Sequence, residues 1–188
     1  MAQGGITIAT LVGSLRRDSL NAALACALPA LMPEGAAIVP LGSIGSFPIY
    51  DADVQEQGFP APVTAMADAI RAADGVLIVS PEYNYSMPGG LKNAIDWISR
   101  MPDQPFRHKP VAIQSASPGS IGGARMQHHL RQTLVFLDAL AMAKPEVMIG
   151  SAHLRIDHAA GVITDDTTRD HVAAQLAAFV AFIRKHRP

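Results

Sequence analysis

Three stretches of this chain gather the residue types that could hold a phosphate and a flat ring. The first reads Gly13-Ser14-Leu15-Arg16-Arg17-Asp18-Ser19-Leu20-Asn21. It follows an apolar run and opens a helical pattern. Its backbone N–H groups therefore sit at a helix N-terminus, where unpaired donors and the helix dipole favour an anion. Ser14, Arg16, Ser19 and Asn21 add side-chain donors. A plain helix cap, with Asp18 or Ser19 in that part, needs only one such residue. The surplus points to phosphate. The stretch is not a P-loop, because no Gly-Lys-Ser/Thr follows, and it is not the Gly-x-Gly-x-x-Gly dinucleotide fingerprint.

The second stretch runs from Ser80 to Trp97 as Ser-Pro-Glu-Tyr-Asn-Tyr-Ser-Met-Pro-Gly-Gly-Leu-Lys-Asn-Ala-Ile-Asp-Trp. Pro81 and Pro88 stiffen it, and Gly89-Gly90 permits close backbone approach. Its aromatic side chains and amides suit a flat heteroaromatic ring. An ordinary turn with Pro88 in the first helical turn explains Pro88 but not that density of polar and aromatic groups. The third stretch is Ser115-Ala116-Ser117-Pro118-Gly119-Ser120-Ile121-Gly122-Gly123-Ala124-Arg125. It is small and flexible enough to border a bound ring. Gly/Ser loops are common, so its weight comes from its place after a strand.

These loops must be positioned by something. Five β-type runs alternate with helical patterns: Ile6 to Val12, Ala36 to Leu41, Val76 to Val79, Val111 to Gln114 and Glu146 to Ile149. Continuous apolar runs are those of strands buried on both faces, and Pro40 places the second run at an edge or ends it early. Helices are expected over Ser19 to Leu31, Pro62 to Asp74, Pro88 to Met101, Gly122 to Leu140 and Asp166 to His186. Leu91, Ala94, Ile95, Ile98 and Met101 make one apolar stripe on the third of these. Strict alternation gives an α/β doubly wound parallel sheet, and five strands suit the order 2-1-3-4-5. Ligands then bind at the carboxyl ends of the strands, near the switch between strands one and three. No repeat or linker divides residues 1–188, which are expected to form a single domain. The fourth helix is apolar beyond one stripe at Leu134-Val135-Phe136-Leu137, so a second subunit is expected to cover it.

Composition narrows the function. Of 188 residues, 49% are hydrophobic and 16% charged, which excludes a disordered chain, and the net charge is −1. No basic excess points to nucleic acid, and no apolar run is long enough for a membrane span. The N-terminus lacks the regions of a signal peptide, so the cytoplasm is the expected location. The single cysteine, Cys26, lies in an apolar helical stretch and is expected to be a buried small hydrophobe. Redox chemistry would then need a cofactor to carry the electrons. The seven histidines form no metal pattern, and no metal site is expected.

Gly-Ser-Leu-Arg-x-x-Ser-x-Asn followed by Pro-Glu-Tyr-Asn-x-Ser-x-Pro-Gly-x-Leu-Lys-Asn-Ala-Ile-Asp-Trp resembles the NADPH-dependent FMN reductases, and within them the bacterial chromate and quinone reductases. The resemblance covers nearly the whole chain, Pro48-Ile49-Tyr50-Asp51-Ala52-Asp53 included. It implies a flavodoxin-like fold, FMN as cofactor, NADPH or NADH as electron donor, and a homodimer or homotetramer. It implies that Ser14, Arg16, Ser19 and Asn21 hold the FMN phosphate. Pro81, Glu82, Tyr83 and Asn84 would line the isoalloxazine, and Ser115, Ser117 and Gly119 its other edge. NAD(P)H would give hydride to the flavin and leave, and a small-molecule oxidant would take the same place, which is ping-pong kinetics. The flavin carries such chemistry, so no catalytic side chain is assigned.

Arg16, Arg17, Lys92, Arg100 and Arg125 gather near the expected mouth and would attract anions. A solvated surface explains Lys92 and Arg100 equally well. Arg17, Tyr50, Tyr85, Arg100 and Arg125 are the candidate substrate contacts. Tyr50, Asp51 and Asp53 fit a site mouth and a turn cluster equally. A non-enzymatic FMN carrier would share the fold but should be strongly acidic, and a redox sensor would hold FMN without fast hydride transfer.

Overall fold

The computed structural model describes residues 5–187. Ile6–Val12 (β1), Gly75–Val79 (β3) and Pro110–Ala116 (β4) are apolar runs with little or no exposure, which places them inside a parallel sheet. Ala36–Pro40 (β2) is half exposed and ends on Pro40, and it takes the edge beside β1. The order is β2-β1-β3-β4, all parallel.

The fifth position is filled by two pieces rather than the single strand expected. Leu140–Ala141 (β5) pairs with the start of β4 and Val147–Ile149 (β6) with its end, both parallel to it. Pro145 lies between them and has no N–H to give to a ladder, so pairing lapses there. By position the sheet is 2-1-3-4-5, the flavodoxin-like arrangement.

Leu20–Ala27 (α1) and Asp166–His186 (α6) cover one face of the sheet. Ala61–Ala72 (α3), Gly89–Ser99 (α4) and Ala124–Phe136 (α5) cover the other. The short Ala52–Glu56 (α2) lies in the irregular stretch before α3. Helix α5 starts later than expected because Gly122 and Gly123 have φ of 63° and 89°, outside the right-handed region. It also ends earlier, at Phe136. Around that end Leu134 and Leu137 are buried, while Val135 and Phe136 are 78% and 77% exposed. A hairpin of Ile156–Asp157 (β7) and Val162–Ile163 (β8) adds two strands too short to read from sequence. Cys26 is exposed, not buried as expected: the buried residues of α1 are Asn21, Ala23, Leu24 and Ala27.

Helix α6 is capped by Asp165, whose carboxylate accepts from the hydroxyl and the backbone N–H of Thr168. The hydroxyl first, and the N–H second, hold its carboxyl below the ordinary carboxylate range. A depressed folded-state value gives stabilisation that is present above the unfolded value and lost as pH falls through the folded one. Asp165→Ala is therefore expected to lower the melting temperature at neutral pH. The gap to the parent should close as thermal melts are taken below about pH 4.

Candidate functional site

The site begins where β1 and β3 part. Gly13 N–H donates to Val79 O at 2.9 Å, and a Cβ at Gly13 would lie 2.4 Å from Ser80 Oγ. Only glycine lets the two strand ends come this close before their loops diverge. The loop from Ser14 to Asp18 then stands out from the sheet with Arg16 and Arg17 exposed. Ser14 Oγ accepts from Arg16 N–H at 3.3 Å. Ser19 caps α1, its Oγ accepting from Ala22 N–H at 3.2 Å. The other first-turn N–H groups of α1 have no acceptor within the helix.

Asn21 has a different occupation. β3 pairs with β4 as far as Val79 and Gln114, and Ser80 N–H still donates to Gln114 O at 3.1 Å. Two residues on, Ala116 turns its N–H and C=O toward the same side, where β3 has already left. The Asn21 amide stands in for the missing strand. Its Nδ2 donates to Ala116 O and its Oδ1 accepts from Ala116 N–H, both at 2.9 Å. Asn21 is 3% exposed. Its side chain thus ties α1 to β4. Ser115 is also buried and committed: its Oγ donates to Gly122 O at 2.6 Å and accepts from Gln127 Nε2 at 2.8 Å.

After β3, residues Tyr83–Ser86 form a tight turn closed by two backbone bonds, at 2.9 and 3.0 Å. Its central residues, Asn84 and Tyr85, have φ of 48° and 67°. Asparagine tolerates that region, but tyrosine is strained there. The Arg125 guanidinium lies 3.8 Å from the Tyr85 ring centroid and holds it from above. The same guanidinium meets Glu82 Oε1 at 3.1 Å. Glu82 Oε2 accepts from Arg125 N–H at 3.0 Å and from Met126 N–H at 3.2 Å. Glu82 therefore caps α5 from another loop, at a helix start whose own capping residue is Gly123 and has no side chain. Its carboxylate is spent on the helix start and on Arg125.

These loops enclose one open pocket of about 250 Å³. Of the expected cofactor residues, Ser14, Arg16, Ser19, Asn21, Pro81, Glu82, Tyr83 and Ser117 line it. Asn84, Ser115 and Gly119 do not. Leu20, Ala116 and Pro118 line it as well, and nothing in their chemistry marks them in the sequence.

Among the expected substrate residues, Tyr85 and Arg125 are brought together and Arg17 projects from the first loop. Tyr50 and Arg100 pair elsewhere, beside α4, with the guanidinium 5.7 Å from the ring centroid. Tyr50 also stacks edge-on to Trp97, whose Nε1 donates to Pro48 O at 2.8 Å. Trp97 thus fixes α4 to the loop before α2, and Asp96 pairs with Lys92 at 2.7 Å. A neighbouring pocket lies between the β3–α4 loop and α5, lined among others by Ser86, Lys92, His129 and Thr133. His129 Nδ1 is 3.0 Å from Ser86 Oγ. The spacing of His129, Gln132 and Thr133 on one helix face is the signal that could have found it.

Residues 6–154 match the model of the NADPH-dependent FMN reductase family. The chain is 56% identical over 181 residues to a quinone reductase of Escherichia coli, covering 96% of each chain. It is 49% identical over 182 residues to an NAD(P)H-dependent FMN reductase of Pseudomonas aeruginosa, covering 97% of each. It is also similar to the solved flavoenzyme FerB, an NAD(P)H:(acceptor) oxidoreductase from Paracoccus denitrificans. That likeness has a TM-score of 0.87 and 38% identity, and covers 96% of this chain and 98% of the other. With the sheet order and the loop pocket, these matches establish that the chain belongs to the NADPH-dependent FMN reductase family.

Proposed function

We propose that this chain, acting as one FMN-binding domain over residues 1–188, passes reducing equivalents from NADPH or NADH to quinones, chromate or similar small oxidants. The reading rests on the pocket where the donors of the first loop face Pro81, Tyr83 and Ser117. The residues present fit FMN. Ser14, Arg16, Ser19 and the first turn of α1 offer donors to a phosphate. The one carboxylate residue that lines the pocket, Glu82, is neutralised by Arg125 and the α5 N-terminus. Pro81 and Tyr83 would border the ring on one side and Ser117 on the other, with Asn84 and Gly119 further out along the same loops. Asn21 and Ser115 act behind them, holding α1, β4 and α5 in register.

Bound FMN would supply the redox chemistry, taking hydride from NAD(P)H and giving electrons to the oxidant in turn at one open face, as a ping-pong cycle. The protein binds and orients. No side chain is required as acid, base or nucleophile. Arg125 fixes Tyr85 at the rim, and Arg17 adds positive charge that would draw in anions, while Arg100 pairs with Tyr50 beside α4. The exposed Val135 and Phe136 would be covered by a second copy in a homodimer or homotetramer. NAD(P)H supply fits a cytoplasmic location. Among the described residues no helix is long and apolar enough to cross a membrane.

The test is an anaerobic one. FMN-loaded protein should lose its yellow absorbance rapidly on adding NADPH and regain it on adding a quinone or chromate. Sluggish bleaching would overturn the reductase reading in favour of a carrier or sensor. Arg16→Ala should weaken FMN binding roughly tenfold to a hundredfold, the scale of one charge-assisted contact. Riboflavin, which has no phosphate, should bind both proteins equally in fluorescence titrations.

A further inference from the structure

The pocket assigned to FMN has a neighbour across the first turn of α1. The neighbour measures about 510 Å³, against about 250 Å³ for the first. Ser14 lines both, so the two cavities share the loop after β1 as a wall. From that loop the second pocket runs along the flank of α1, over the ends of β1 and β2. Ala22 and Ala25 face it with short side chains and leave room above the sheet, and Val12 and Ile38 give it apolar walls. No lining residue is charged.

Two reachable hydroxyls break this apolar lining. Ser43 is exposed and Ser14 half-buried, whereas the Thr10 hydroxyl is buried out of reach. Ser14 Oγ accepts from Arg16 N–H at 3.3 Å and Ser43 Oγ from Gly45 N–H at 3.1 Å. Each keeps its own hydrogen to donate.

The place of the pocket in the sheet says what could fill it. In doubly wound sheets a dinucleotide lies across the switch between strands one and three, with its pyrophosphate on the turn after the first strand. The first pocket takes the β3–β4 side of that turn, and the second takes the β2 side. The turn itself carries Arg16 and Arg17, both exposed, against one carboxylate, Asp18. It is net positive where a second phosphate would cross.

We propose that the second pocket holds the adenosine end of a flavin dinucleotide, so that the chain binds FAD as well as FMN. The inference rests on the FMN reading above and extends it past the phosphate. The flavin half would sit as FMN does, and the added phosphate would cross the turn beside Arg17. Adenine is flat and uncharged and suits the apolar space between α1 and the ends of β1 and β2. A ribose oxygen would accept from Ser43 Oγ–H. NADPH fits this pocket poorly while a flavin is bound. Its pyrophosphate would need the turn that the flavin phosphate occupies, and its 2′-phosphate would meet no cation in the lining.

The test is an exchange experiment on the FMN-loaded full chain. The protein is equilibrated with equal concentrations of FMN and FAD, and the two bound flavins are counted by chromatography after ultrafiltration. FAD should displace FMN from the parent. Ala25→Leu fills the second pocket away from the first, and should shift the bound ratio about tenfold toward FMN, within what the contacts of one buried ring are worth. Leucine is a good helix former, and retention of FMN alone checks that the variant folds. Ser43→Ala, at an exposed position, should shift the ratio about fivefold in the same direction, the scale of one hydrogen bond. Failure of FAD to displace FMN, or one ratio in parent and both variants, would overturn the inference, since the adenosine would then hang in solvent. The expected shifts in a protein whose flavin NADPH does not bleach would instead remove the reductase reading and leave this pocket standing.

Discussion

Asn21→Leu is expected to destabilise the fold by about 4 kcal/mol, a large part of a normal stability margin. The side chain makes two buried bonds to the backbone of Ala116. Leucine fills a similar volume but leaves an N–H and a C=O unpaired where β3 no longer runs. Each such orphan costs about 1–3 kcal/mol. Urea denaturation should show the loss as a lower midpoint at unchanged slope. FMN affinity should fall as well, because the same bonds hold the start of α1 against the end of β4. An unchanged midpoint would mean that water or a shifted strand end replaces the amide.

Glu82→Ala should cost about 2–3 kcal/mol, chiefly through the N-terminus of α5. The carboxylate accepts from two N–H groups there, and alanine leaves both without a partner. The ion pair itself adds less, since the Arg125 side chain is 42% exposed and screened by solvent. Glu82→Gln separates these contributions: it keeps an acceptor for the helix and drops the charge, so it should recover about half of the loss in the same denaturation experiment. Without Glu82, Arg125 is also free to leave the Tyr85 ring. The Tyr83–Ser86 turn should then exchange its amide protons faster.

Much of this architecture could be read from the chain. The runs at Ile6, Val76 and Val111 are apolar on both faces, and only a covered parallel sheet satisfies that pattern. Asp166–His186 has the expected bounds, because an acidic start and a basic end agree with the helix dipole. The fifth strand was legible only in part, since two residues at Leu140 carry no periodicity. Gly122 and Gly123 extend a helical pattern in sequence, while their positive φ appears only once Met148 and Ser115 are packed against them. The same limit applies at the site. Residue types pointed to a loop rich in donors, but not to which donors were already committed. Asn21 answers to Ala116, 95 residues away, and Glu82 to the start of α5, 43 residues away. Cys26 has apolar neighbours in sequence, yet lies on the helix stripe that faces a pocket.

The cap that Glu82 places on α5 has a further consequence. Helices α1 and α5 both begin at the carboxyl edge of the sheet, and each presents a positive end. One of these sockets is plugged by a carboxylate built into the chain, and the other is left open above Ser19. An elongated ligand with a single dianionic end therefore meets an asymmetric pair of sockets and can seat that end in one of them only. Its polarity along the strand ends is set before any contact with its ring is made.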